Sequence, residues 1–196
     1  MVDALDLDPG DYSGTYKLIG GRPAMDFANL VSYRGTDRAH DWLDPVANLG
    51  RWAEGAGIRA TPGSDIEALR DLRELLTRVF LAVADGGDPA VRDVDRIGSL
   101  AAAASARRRL CFPPGADAAS WTDAELSLLD EVVLDAAAIL ISAETLRKVS
   151  ACGECRWVFL DTTRNHRRRW CDPADCGNRS RQRRHYRRKQ VRKTEG

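Results

Sequence analysis

Four cysteines between residues 152 and 176 constrain this chain more than any other feature. Cys152 and Cys155 form a C-x2-C pair, fifteen residues follow, and Cys171 and Cys176 form a C-x4-C pair. Two close cysteine pairs at such a separation are the pattern of a four-thiolate zinc site. Each pair presents two sulfurs to one side of an ion at ~2.3 Å, and a hairpin brings the second pair to the other side. A site closed by four protein ligands leaves no position for water, so it is structural rather than catalytic. Disulfides are the competing use of paired cysteines. The first residues, MVDALDLDPGDYSG, are acidic and lack the apolar run of a secretory signal, so the expectation is an intracellular metal protein. A redox C-x-x-C would leave the second pair unexplained. His166 and His185 are alternative ligands that four thiolates make unnecessary.

The spacing also predicts local structure. Gly153 suits a tight knuckle between Cys152 and Cys155. Trp157 to Leu160 has strand composition, Asn165 marks a turn, and Arg167 to Trp170 is the expected return strand. Asp172-Pro173 breaks the chain, and Cys176 opens a helix running to about Lys193, whose N-terminal dipole favours the last thiolate. Knuckle, hairpin and helix in this order describe a treble-clef-like finger with a small core of Trp157, Phe159 and Trp170. A finger of that size draws much of its folding free energy from the metal.

The helix carries nine basic residues between Arg179 and Lys193 and no acid. Such density repels itself, and a solvated face needs less of it, so nucleic acid is the expected partner. Net charge conceals this. The whole chain carries +1, yet residues 147–196 carry +11 and residues 1–146 carry −10. Arg181, Arg184, Arg188 and Arg192 are candidate phosphate contacts, and Arg187 is a further candidate nucleic-acid contact. Asn178, Arg179, Gln182 and Arg183, in the early turns, are candidates for base edges, since Arg suits guanine and Asn or Gln suits adenine. Duplex DNA is the expected target. RNA is the rival and gains ground if Trp157 or Trp170 is exposed for stacking. A protein-interaction module and a small-molecule sensor are the rivals from other classes. A single finger binds weakly, so a homodimer is expected if recognition is specific.

Arg168-Arg169-Trp170-Cys171 followed by Cys176-Gly177-Asn178-Arg179 resembles the CGNR zinc-finger family, as does Phe159-Leu160-Asp161-Thr162-Thr163. The resemblance implies Cys152, Cys155, Cys171 and Cys176 as zinc ligands and a DNA-binding role in bacterial transcription. Pro173 departs from that family's pattern and bears on the shape of one loop. Gly20 to Asn29, reading GGRPAMDFAN, is similar to the start of the ABATE domain that accompanies such fingers. That family is described as stress-induced transcription regulators.

The remaining chain reads as a mostly helical domain over residues 16–145, after a loosely ordered 1–15 and before a finger at 146–196. The overall class is mostly α (α+β), with one minor β-hairpin at 107–112 and 120–121. Pro23 and Pro45 are expected to start helices, the second capped by Asp44. Ser64 with Glu67 and Thr122 with Glu125 read as capping boxes. The segment 122–141 is apolar on nearly all sides, so it is either central or an oligomer interface. Cys111 lies outside the metal pattern and is expected to be buried. No stretch reaches the roughly 20 apolar residues of a membrane span. The chain contains no phosphate-cradling glycine loop, HExxH or GxSxG, and the expectation is a cytoplasmic protein that is not an enzyme. Asp26 and Asn29, one turn apart beside Arg22, could line a ligand pocket, although loop hydrogen bonding is the commoner role for such residues.

Overall fold

A computed structural model describes the backbone of residues 4–58, 65–122 and 126–194, with side chains through Tyr186 in those ranges. Seven helices and four two-stranded antiparallel sheets are found among the described residues. Two hairpins, β1 (Ala4–Leu5) with β2 (Tyr16–Lys17) and β3 (Val31–Ser32) with β4 (His40–Asp41), flank α1 (Pro23–Ala28). Next come α2 (Asn48–Gly55), α3 (Ile66–Ala84) and α4 (Val91–Ser105). The hairpin β5 (Arg109–Cys111) with β6 (Ser120–Thr122) leads to α5 (Leu128–Leu140) and α6 (Ala143–Leu146). A last hairpin, β7 (Val149–Ala151) with β8 (Val158–Leu160), precedes α7 (Cys176–Thr194).

Apolar spacing decides where the helices pack. In α3, Leu69, Leu72, Leu76, Val79 and Phe80 recur on one face and are buried. α5 buries Leu128, Val132, Val133, Ala136 and Ile139 and packs against α1, α3 and α4. Its all-round apolar character is therefore used by the core. It is central to the fold.

Several local expectations shift. Asp65 caps α3 by accepting from Ala68 N–H at 3.0 Å, while Ser64 lies outside the described residues. Thr122 belongs to β6, Glu125 lies outside the described residues, and Ser127 with Asp130 forms the capping box of α5. Pro45 sits in a turn and α2 starts at Asn48, so Asp44 is not its cap. Residues 34–43 include β4 and the fully buried Trp42. The β5–β6 hairpin forms as expected but stands off the body, with Leu110, Phe112 and Trp121 exposed. Cys111 is exposed with them, against the expectation of burial.

One hydrophobic cluster runs from Leu7 to Cys176. Trp157 and Phe159, expected to form a private core for the finger, belong to this cluster. Trp157 tilts against Tyr16 with centroids 5.3 Å apart and donates its indole N–H to Val31 O at 3.0 Å.

Candidate metal centre and nucleic-acid interface

The cysteine site is assembled by two turns and a helix end. Between β7 and β8 the chain makes a knuckle, with Cys152 N–H donating to Trp157 O at 2.8 Å and Arg156 N–H to Cys152 O at 3.0 Å. Glu154 N–H points at Cys152 Sγ, 3.5 Å away. Arg156 takes the left-handed conformation here (φ 65°), not Gly153. Gly153 serves close approach instead: a Cβ there would lie 3.3 Å from the Trp170 ring. On the far side, Asp172 turns the chain by accepting from Ala174 N–H at 2.8 Å, and its carbonyl accepts from Gly177 N–H at 3.1 Å. That turn, which accommodates Pro173, delivers Cys176 to the first residue of α7. The expected return strand at Arg167–Trp170 does not form, because β8 pairs with β7, which precedes it. Upstream, α6 ends at Leu146 and β7 begins at Val149.

All four cysteines are buried, and their sulfurs lie within 4.8 Å of one another. Cys155 Sγ is 3.5 Å from Cys171 Sγ, which is 3.6 Å from Cys176 Sγ. A tetrahedron with metal–sulfur bonds of ~2.3 Å has edges of ~3.8 Å, so the set fits a four-coordinate ion. The thiols share protons unevenly. Hydrogen bonding with Cys155 holds Cys152 far below the ordinary thiol range, and hydrogen bonding with Cys152 pushes Cys171 and Cys176 far above it. Four adjacent thiolates need a cation to be ionised together, and this donor set is one that a metal ion satisfies. His166 stays out of it, its Nδ1 lying 2.9 Å from Asp161 O.

The GGRPAMDFAN segment holds this centre in place. Asn29 brackets one residue of β8, accepting from Val158 N–H at 2.8 Å and donating to Val158 O at 2.9 Å. Gly20 O accepts from Leu160 N–H at 2.9 Å, while Gly20 N–H donates to Asp26 Oδ1 at 2.7 Å. Burial pushes the Asp26 carboxyl up to about 7. Arg22 and Ala24 N–H both bind Asp135 on α5. Lys17 reaches Asp172 at 2.6 Å. Asp26 and Asn29 are thus consumed in seating the finger. A cleft of about 370 Å³ lies elsewhere, open to solvent along α3 and α4.

Two known families match parts of the chain. The ABATE family, described as "putative stress-induced transcription regulator", matches residues 21–143. The CGNR zinc finger matches residues 148–189. The chain belongs to the ABATE family. No curated protein matches it. In this ABATE–CGNR chain the opening motif of the first match is the seat of the second.

On α7 the predicted contacts separate into classes. Arg179 is committed inward: it binds Asp175 through Nε at 2.9 Å, donates to the Tyr33 hydroxyl, and lies over the Tyr33 ring. Arg183 pairs with Glu154 in the knuckle, and Arg181 donates to Asn178, whose amide donates to Ala174 O at 2.5 Å. Gln182 and Arg184 are exposed with no ion pair among the described residues. Arg187, Arg188 and Arg192 lie on the helix, but their side chains fall outside the described residues. Tyr33 and Glu154 were not legible as partners of this helix, since nothing in sequence brings residue 33 to residue 179 or residue 154 to residue 183, whereas Asp175 lies at i, i+4 from Arg179. No helix among the described residues is long and apolar enough to cross a membrane.

Proposed function

We propose that this chain is a zinc-dependent, DNA-binding transcription regulator that acts on chromosomal DNA in the cytoplasm. The observation that carries the reading is the placement of a four-sulfur site at the N-terminus of a helix with nine basic residues and no acid. The metal, zinc by its tetrathiolate preference, fixes the helix to the body and so gives its charges a defined direction. Base edges would be read by Gln182 and by Arg183 and Asn178 on exchanging their present partners, with phosphates bound by Arg184 and the distal arginines. Specific recognition would take two fingers, hence two copies of the chain. The reading assigns no catalytic step, since the polar groups gathered around α1 are engaged in structural bonds. A stress signal would act upstream of binding.

Burial of Trp157, and the half-burial of Trp170 between Gly153 and Gly177, supports duplex over single-stranded targets, because neither ring is free to stack on a base. Metal analysis should give one zinc per chain, and selection from a randomised duplex pool should enrich a motif. With about six phosphates engaged, log affinity should fall against log salt with a slope near −5. A flat salt dependence would sink the reading.

A further inference from the structure

Several arginines of this protein are paired with carboxylates. Arg73 binds Asp41 at 2.5 Å, Arg78 binds Asp93 at 2.9 Å, Arg107 binds Asp130 at 2.8 Å and Arg156 binds Asp85 at 2.6 Å. The loop between β8 and Cys171 gathers arginines without such partners. It holds four arginines in six residues, Arg164 and Arg167 to Arg169, and its one acid is Asp161. Asp161 is 1% exposed and turned inward, accepting from Thr163 N–H at 2.9 Å, Thr163 Oγ1 at 2.6 Å and Arg168 N–H at 2.7 Å. Arg168 is a strut: it donates through Nε to Trp170 O at 3.0 Å, donates to Cys171 O, and covers the Phe159 ring at 4.3 Å. Arg164, Arg167 and Arg169 are exposed and have no carboxylate partner among the described residues.

A floppy solvated loop needs none of these ties. Asp161 and Arg168 hold the backbone from inside, and His166 sits in the left-handed region (φ 46°), where a non-glycine side chain is strained. The loop's end is also fixed to the knuckle and to the helix: Arg169 O accepts from Gly153 N–H at 3.0 Å, and Trp170 packs within 3.2 Å of where a Gly177 Cβ would stand. A tied scaffold presenting three exposed arginines within six residues, with no carboxylate partner among the described residues, fits a partner with regularly spaced anionic charge. The loop's one aromatic, Trp170, is packed on glycines with Arg169 above it, so it offers no platform for unstacked bases.

We propose that Arg164, Arg167 and Arg169 form a second contact surface that grips the phosphate backbone of duplex DNA beside α7. The inference rests on the DNA-binding reading and adds a site that the helix does not contain. The test uses zinc-loaded full-length protein and a short duplex, with affinity measured between about 50 and 200 mM salt. Arg164→Ala/Arg167→Ala/Arg169→Ala is compared with a control of equal charge loss, Arg51→Ala/Arg92→Ala/Arg96→Ala, on the N-terminal body. The loop variant should keep its zinc and bind more weakly, with a log–log slope shallower by about 1 to 3, at ~0.9 for each phosphate no longer neutralised. The control should keep the wild-type slope. Single Arg→Gln changes, each expected to remove up to about one unit of slope, decide the matter if the triple variant loses metal. A loop variant with the wild-type slope overturns the proposal and leaves the helix reading standing. Equal losses toward duplex and toward polyglutamate would also overturn it, in favour of an acidic protein partner. Wild-type protein that fails to bind duplex at any of these salts removes both readings together.

Discussion

Asp26 shows what a single side chain does when the fold removes its water. Its carboxyl is pushed from 3.8 to about 7, burial being the main cause, with Asp135 adding to it. A raised folded-state value means that the folded protein holds the proton more tightly than the unfolded chain. The stability this contributes is full below about pH 4 and is lost as pH rises through 7. Three units at ~1.4 kcal/mol each bound the loss at about 4 kcal/mol. Asp26→Asn keeps an acceptor for Gly20 N–H and removes the titration. Urea unfolding should find the variant more stable than wild type at pH 8 and close to it near pH 4.5, and a constant difference across that range would refute the assignment. Asn29 makes the opposite case, with both ends of its amide satisfied by Val158 in a buried position. Asn29→Ala leaves a buried N–H and C=O unpaired and should cost about 2–4 kcal/mol. It should also speed exchange of the Val158 amide; unaltered protection there would show the bracket to be incidental.

Among the elements, the β7–β8 hairpin and α7 depend on the metal in different ways. The hairpin closes through its knuckle, while α7 is held by Cys176 at its first residue and by Arg179 on Tyr33. A helix this cationic gains little from its own side chains, since like charges at i, i+4 repel. Chelation should therefore release α7 first and reduce helical circular dichroism. It should also expose Trp157 and red-shift its emission. Because Trp157 packs on Tyr16, the loss extends into the body. Removing several kcal/mol of metal binding should lower the melting temperature of the whole chain by on the order of 10 °C or more. An unchanged body transition after chelation would mean that the finger hangs free of the core.

For the molecule as a whole, the finger completes the core and is not appended to it. The expression of residues 146–196 alone tests this directly. That fragment lacks Asn29, Val31 and Tyr16, so it should bind metal yet leave the amides of β8 poorly protected. Protection equal to that in the full chain would count against a shared core. Sequence by itself picked out the four cysteines that the fold brings together, because their spacing is a local property. It also determined the amphipathic helices, the excess of arginine at one end and the family to which the chain belongs. Tertiary structure decided the rest. β8 pairs with β7 and not with residues 167–170, because hydrogen bonding to Asn29 and burial of Trp157 and Phe159 fix β8 from the other side. Cys111 is exposed because nothing among the described residues covers the β5–β6 hairpin, a fact no local pattern carries. Arg179 turned inward and the 164–169 loop stayed uncompensated for one reason. A cation's partner is set by where distant carboxylates and hydroxyls arrive once the core has closed.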